Sequence, residues 1–154
     1  SIAILDYLND ITGGTRFWPQ DKAARAMARS MAAEMHSGYV PLRKACSMNV
    51  RKRFPAQPTN AAVAENVARI DALWGHARTR FGADGPYLFG TFGAADIMFA
   101  PVVFRIHGYE LPISEITQAY IEAMLAHPWM VEWVEAAHAE TWVLEQYEGG
   151  PIYP

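Results

Sequence analysis

TNAAVAENVARIDALWGHARTRF, residues 59–81, decides the fold class of this chain. Val63, Val67, Ile70, Trp74, Ala77 and Phe81 recur at alternating spacings of four and three, which puts them on one stripe of an α-helix. Thr59 is placed to cap that helix, and Gly82-Ala83-Asp84-Gly85-Pro86 ends it. The segments on either side follow the same period. Downstream, residues 94–106 are apolar on nearly every side, the pattern of a short helix buried among others. Asp96 stands three residues after Gly93, at the acidic position of a capping box, and Phe92 and Ile97 have the spacing of a hydrophobic staple. Ser114-Glu115-Ile116 opens a further helix to about residue 126. Pro128 opens the last one, with Trp129, Trp133 and Ala136/Ala137 expected inward. Tyr87-Leu88-Phe89-Gly90 reads as an apolar loop, because no partner strand exists for it.

Upstream, Ser1 is a plausible cap for a first helix ending near Asn9, and Thr12-Gly13-Gly14-Thr15 breaks the chain. Trp18-Pro19-Gln20-Asp21 starts a long helix that is expected to run to about Arg53, kinked at Gly38 and Pro41. Phe54-Pro55-Ala56-Gln57-Pro58 is a turn. The tail from Gly149 to Pro154 has no period. No strand alternation and no repeat occurs. The expected fold is all-α, a bundle of roughly five to six helices with a long kinked helix and a buried central one.

Bulk properties narrow the function. The 154 residues are 51% hydrophobic and 19% charged, with a formal net charge of −3, which excludes a disordered chain and argues against a nucleic-acid binder. Arg51-Lys52-Arg53 is the only basic cluster, and its expected place at a helix end favours the helix dipole. The single cysteine, Cys46, reads as a buried small hydrophobe. It agrees with a reducing, cytoplasmic setting, as does the lack of an apolar run long enough to span a bilayer. SIAILDYLND carries neither Met nor a basic segment, so the chain is expected to begin inside a longer protein.

Metal chemistry has no support. Paired cysteines and a His-Glu-x-x-His segment are both missing, and His76, His107, His127 and His138 lack ligand spacing. Gly90-Thr91-Phe92-Gly93 is better explained as a turn than as a phosphate loop. The tryptophans are expected as core anchors.

Residues 31–49, MAAEMHSGYVPLRKACSMN, are unusual. Read as one helix, Met31, Met35, Gly38, Leu42 and Cys46 form an apolar face. Ala32, His36, Tyr39 and Arg43 form a second face beside it. An imidazole, a phenol and a guanidinium at the rim of an apolar face resemble a pocket wall more than the solvated side of a bundle helix. Met27, Met31, Met35 and Met98 either fill the core or line a permissive pocket, a reading that bears most on Met31 and Met35.

These residues carry a resemblance. The chain resembles the C-terminal helical domain of a proteobacterial cytosolic glutathione transferase, of the beta-like bacterial subset. The similar segments are Ser1-Ile2-Ala3-Ile4-Leu5-Asp6-Tyr7-Leu8, Trp18-Pro19-x-Asp21 with Ala24-Arg25-Ala26, residues 33–39 with Leu42-Arg43 and Met48-Asn49, and Tyr87-Leu88-Phe89-Gly90 followed by Ala95-Asp96.

The resemblance implies a two-domain homodimeric enzyme that joins glutathione, its co-substrate, to small hydrophobic electrophiles, with no tightly bound cofactor. Residues 1–10 would be the last helix of a thioredoxin-like domain otherwise absent here, and residues 11–154 the helical domain that supplies the electrophile pocket. Ser1 matches the serine that bonds the γ-glutamyl carboxylate of glutathione. His36 falls where beta-class members, with a Ser-Glu-Leu-His segment, carry an active-site histidine, although their following lysine is Ser37 here. Met35, Tyr39, Arg43 and Arg105 would face the electrophile, and Asp96 would be a structural cap. The usual Ser or Thr of that cap is Gly93 here. The thiol-activating residue would lie outside this sequence, so the fragment alone is expected to be inactive. Two alternatives stay open: a noncatalytic helical domain used for protein docking, and an unrelated bundle that binds an apolar ligand.

Overall fold

The computed structural model describes residues 1–56 and 58–149. They form seven α-helices: α1 (Ile2–Ile11), α2 (Lys22–Ser37), α3 (Val40–Ala45), α4 (Ala61–Phe81), α5 (Ala94–Gly108), α6 (Glu115–Leu125) and α7 (Pro128–Ala139). Among the described residues there is no strand, only an isolated bridge between Tyr87 and Gly90. The all-α expectation is met. The expected turn at 54–58 and the tail at 149–154 lie partly outside the described residues.

The core is built around α5, which packs against α2 and α6. Met98, Phe99, Val102, Val103 and Ile106 of α5 are buried, as are Val63, Val67, Ile70 and Trp74 of α4. Phe99 and Tyr120 both meet the Trp74 ring edge-on, at centroid distances of 5.3 and 4.9 Å, which joins α4, α5 and α6. Pro101 stands inside α5 and removes one intrahelical hydrogen bond. Asn60, not Thr59, caps α4, its side chain accepting from the Val63 N–H at 2.9 Å.

Asp96 organises the start of α5. Its carboxylate is fully buried and accepts from the backbone N–H of Gly93 at 2.8 Å and of Leu88 at 3.2 Å. One carboxylate therefore caps the helix and pins the Tyr87–Gly90 loop. Desolvation raises its pKa from 3.8 to about 6, against the pull of those same N–H donors. Glycine at the cap has a steric cause. A Cβ on Gly93 would lie 2.7 Å from the Phe17 carbonyl oxygen, which already accepts from the Ala94 N–H at 2.7 Å. Gly93→Ser, a change that elsewhere gains a few tenths of a kcal/mol at a cap, is expected here to lose about 1–3 kcal/mol by overpacking, read as a lower urea midpoint.

The long helix expected from Asp21 to Arg53 is instead two helices, separated by a full break at Gly38-Tyr39 and followed by irregular chain from Cys46. Gly38 runs so close to α2 that a Cβ on it would sit 2.6 Å from the Glu34 carbonyl oxygen. Tyr39 then takes a left-handed conformation, with φ 59°, uncommon for a residue other than glycine. Pro41 lies in the first turn of α3, where its missing N–H costs nothing. Arg51-Lys52-Arg53 therefore marks no helix end. Lys52 and Arg51 hold Glu148 at 2.6 and 3.5 Å, and Arg53 meets Glu110 at 3.5 Å.

The tryptophans divide. Trp18 and Trp74 are buried, whereas Trp129, Trp133 and Trp142 are exposed, the last by 81%. Met130 of α7 is buried and Val134 partly so, while Trp133, though largely exposed, meets the buried Phe104 ring of α5 edge-on at 5.1 Å. This corrects the expected register: α7 packs on α6 alone among the helices it contacts substantially, so a narrow stripe suffices to bury it. His127, read as an ordinary histidine, caps α7 by accepting from the Trp129 N–H at 3.2 Å.

Candidate functional site

A cavity of about 1200 Å³ opens between α1, the α2–α3 segment and α5. Its apolar wall includes Leu5, Phe17, Met35, Met98 and Pro101, and Trp129 stands at its edge. Its polar wall carries His36, Arg43, Lys44 and Arg105, with Ser1 across from them on α1. Five of the residues singled out in the sequence (Ser1, Met35, His36, Arg43 and Arg105) therefore meet in one space.

Local structure sets each position. Ser1 precedes α1, and its side chain makes no cap bond. The middle and last turn of α1 are tied to the 17–18 segment by Asp6, whose carboxylate accepts from the Trp18 indole N–H at 2.8 Å, and by Asn9, which accepts from the Phe17 N–H at 3.3 Å. His36 lies in the last turn of α2, exposed, with no hydrogen bond to another described residue. Met35 and Met98 are buried and meet at the cavity from α2 and α5.

The guanidiniums are fixed by backbone carbonyls. Arg43 donates through Nη2 to the Met35 carbonyl oxygen. Arg105 donates through Nε to the Cys46 carbonyl at 2.9 Å and through Nη1 to that of Pro101 at 3.0 Å. Burial, and then the positive charge of Arg43, pull the Arg105 pKa below its ordinary value.

Tyr39 does not join them. The break after Gly38 turns its phenol toward α4, where its hydroxyl donates to Glu34 Oε1 at 2.9 Å. The same carboxylate accepts two bonds from Arg69, from Nε and Nη2, each at 2.8 Å. Arg69 is the main cause that holds Glu34 below its usual range, and burial, followed by Glu34, pushes the Tyr39 phenol up. The Glu34–Arg69 pair therefore clamps α2 to α4, and Tyr39 ties the α2–α3 turn to it. Asp96 also lies away from the cavity and acts on structure alone.

The arrangement offers a permissive apolar slot flanked by hydrogen-bond donors and positive charge, which suits a small ligand with an apolar body. Among the described residues no cluster of His, Cys, Asp or Glu could hold a metal ion. No described helix is long and apolar enough to cross a membrane.

The family profile of the glutathione S-transferase C-terminal domain matches residues 60–136. The chain belongs to that family.

Two solved structures share the glutathione S-transferase C-terminal fold. A glutathione transferase homologue from Burkholderia gl BGR1, crystallised with bound glutathione, is 22% identical and aligns with a TM-score of 0.65 over 91% of this chain and 67% of its own. A glutathione S-transferase from Legionella pneumophila is 21% identical, with a TM-score of 0.53 over 88% of this chain and 76% of its own. No curated protein matches the sequence. Within this glutathione S-transferase domain, Met98, read from the sequence as either core filler or pocket lining, lines the cavity, whereas Lys44, Pro101 and Trp129 were passed over as cavity residues. Lys44 was legible beside Arg43, and Pro101 as a proline inside an apolar helix. Nothing in the sequence marked Trp129, which reaches the cavity from α7.

Proposed function

We propose that this chain is the electrophile-binding part of a glutathione transferase. In this reading residues 1–10 close a glutathione-binding domain, and residues 11–154 form the helical domain. Ile4, Tyr7 and Ile11 of α1 are each more than half exposed, as suits a helix with a further face to cover. Ser1 holds the γ-glutamyl carboxylate of glutathione, a natural task for a hydroxyl and N–H groups at a helix N-terminus. Met35 and Met98 receive the apolar body of the electrophile, with Arg43 and Arg105 beside it. His36 faces the reacting sulfur.

The chemistry is one displacement. The glutathione thiol loses its proton, with an activating group outside this chain assisting, because the thiolate is the nucleophile and the free thiol is mostly protonated at neutral pH. Sulfur then bonds to the electrophilic carbon, and for an aryl halide the halide leaves with the bonding pair. The chain holds the electrophile in line and sets a donor near the developing charge.

The observation that carries this reading is the meeting of Ser1 and His36 at one largely apolar cavity. The test uses the full-length protein with glutathione and 1-chloro-2,4-dinitrobenzene. His36→Ala is expected to lower kcat/KM by about 10- to 1000-fold. A loss below about twofold removes His36 from the active site. Failure of the full-length protein to be retained on immobilised glutathione would favour a docking role for the whole domain.

A further inference from the structure

The chain is acidic overall, yet among the described residues the cavity is lined by no Asp or Glu. Arg43, Lys44 and Arg105 supply three cations to the wall, and His36 adds an imidazole. Five cations elsewhere are paired: Arg29 meets Asp6, Lys52 and Arg51 meet Glu148, Arg53 meets Glu110, and Arg69 meets Glu34. Among the described residues Arg43 and Arg105 have no carboxylate within ion-pair distance, and each repels the other. Their protein bonds run to backbone carbonyls through Nη2 of Arg43 and through Nε and Nη1 of Arg105. Among the described residues that leaves Arg43 Nη1 and Arg105 Nη2 without an acceptor. Arg43 Nε is buried and unpartnered as well.

A partly desolvated guanidinium without a counter-charge is costly. Two on the wall of one largely apolar cavity, close enough for the charge of Arg43 to be felt at Arg105, can together serve as a receptor for a carboxylate, which accepts charge-assisted bonds. The apolar wall rules out a small inorganic anion as the best fit, since Met35, Met98 and Pro101 would then face water.

We propose that the cavity selects amphipathic organic acids, with the carboxylate between Arg43 and Arg105 and the apolar body on Met35, Met98 and Pro101. The proposal deepens the reading above by giving its electrophile a chemical class, and it rests on that reading only for the reaction. Binding of the acid does not depend on it. The acid belongs to the second substrate and not to glutathione, because the arginines come from the α3 and α5 walls with Met98 and Pro101, whereas Ser1 lines the cavity from just before α1.

The test is calorimetric titration of the full-length protein, without glutathione, using 2-naphthoate and its neutral analogue 2-naphthylmethanol. The acid is expected to bind at least tenfold more tightly than the alcohol. Arg105→Met, which keeps an unbranched apolar stem and removes the guanidinium, is expected to erase that preference while glutathione affinity changes by less than twofold. Equal binding of acid and alcohol by the unaltered protein overturns the proposal, whether a neutral occupant or a carboxylate from another part of the protein is the reason. So does a glutathione affinity that falls with Arg105→Met while naphthoate binding holds. The comparison in the unaltered protein decides the matter even if the variant does not fold. Loss of retention on glutathione with the acid preference intact would sink the transferase reading and leave this one standing.

Discussion

Trp74→Ala is expected to cost about 3–5 kcal/mol, a large part of the total stability of an ordinary domain. The ring is fully buried and is the largest side chain in the centre of the core. Its loss would remove two edge-on aromatic contacts at once, from Phe99 on α5 and Tyr120 on α6. Neighbours from three helices cannot all collapse into one hole, so the cavity persists and adds to the transfer loss. Trp74 Nε1 has no hydrogen-bond partner, so replacing the indole by another aromatic ring gives up no polar contact. Trp74→Phe should therefore cost clearly less. The check is a pair of urea titrations at constant slope; similar midpoints for the two variants would show that the indole shape, not the buried volume, matters.

Asp96→Ala is the second large effect, expected at about 2–5 kcal/mol. It leaves the buried N–H groups of Gly93 and Leu88 without their acceptor, at about 1–3 kcal/mol each. The same carboxylate gives stability a particular pH dependence. Its pKa in the folded chain is about 6, against 3.8 for an ordinary aspartate. Between those values the unfolded chain has released the proton and the folded chain still holds it. Stability then falls as pH rises, because the native state binds more protons than the unfolded one. The contribution is complete below pH 3.8 and gone above about pH 6, and the span corresponds to roughly 3 kcal/mol. Asp96→Asn cannot ionise. The stability difference between the unaltered protein and this variant should shrink or change sign as pH rises from 4 to 7. A difference that stays level across that range would mean that Asp96 ionises normally in the core.

Some of this was readable from the residues, and some depended on close approaches that no sequence pattern announces. The stripe of Val63, Val67, Ile70 and Trp74 and the all-round apolar run of α5 placed the two central helices, because deep burial leaves a dense periodic signal. Asp96 was legible as a cap, but its second bond, to Leu88, joins a loop eight residues away and has no local signature. The break at Gly38 depends on a near-contact with the Glu34 carbonyl, which is a property of the folded backbone. Missing it carried Tyr39 to the wrong side of the helix. Tryptophan size misled at Trp129 and Trp133, where a helix with one main neighbour leaves aromatic surface outside. The cavity residues on α2, α3 and α5 were found through polar groups at the rim of an apolar face, a pattern that survived the break because His36 precedes it and Arg43 lies one helical turn past it.

That break also divides labour within a short stretch of chain. Glu34 and Tyr39 face α4 and fasten the bundle, while His36, Arg43 and Lys44 face the cavity. Residues answering to the scaffold and residues answering to the ligand are interleaved in sequence yet insulated in space. In the proposed reading, substitution at the exposed Lys44 would alter the cavity wall without touching the Glu34–Arg69 clamp, so this segment has the layout of an evolvable specificity element.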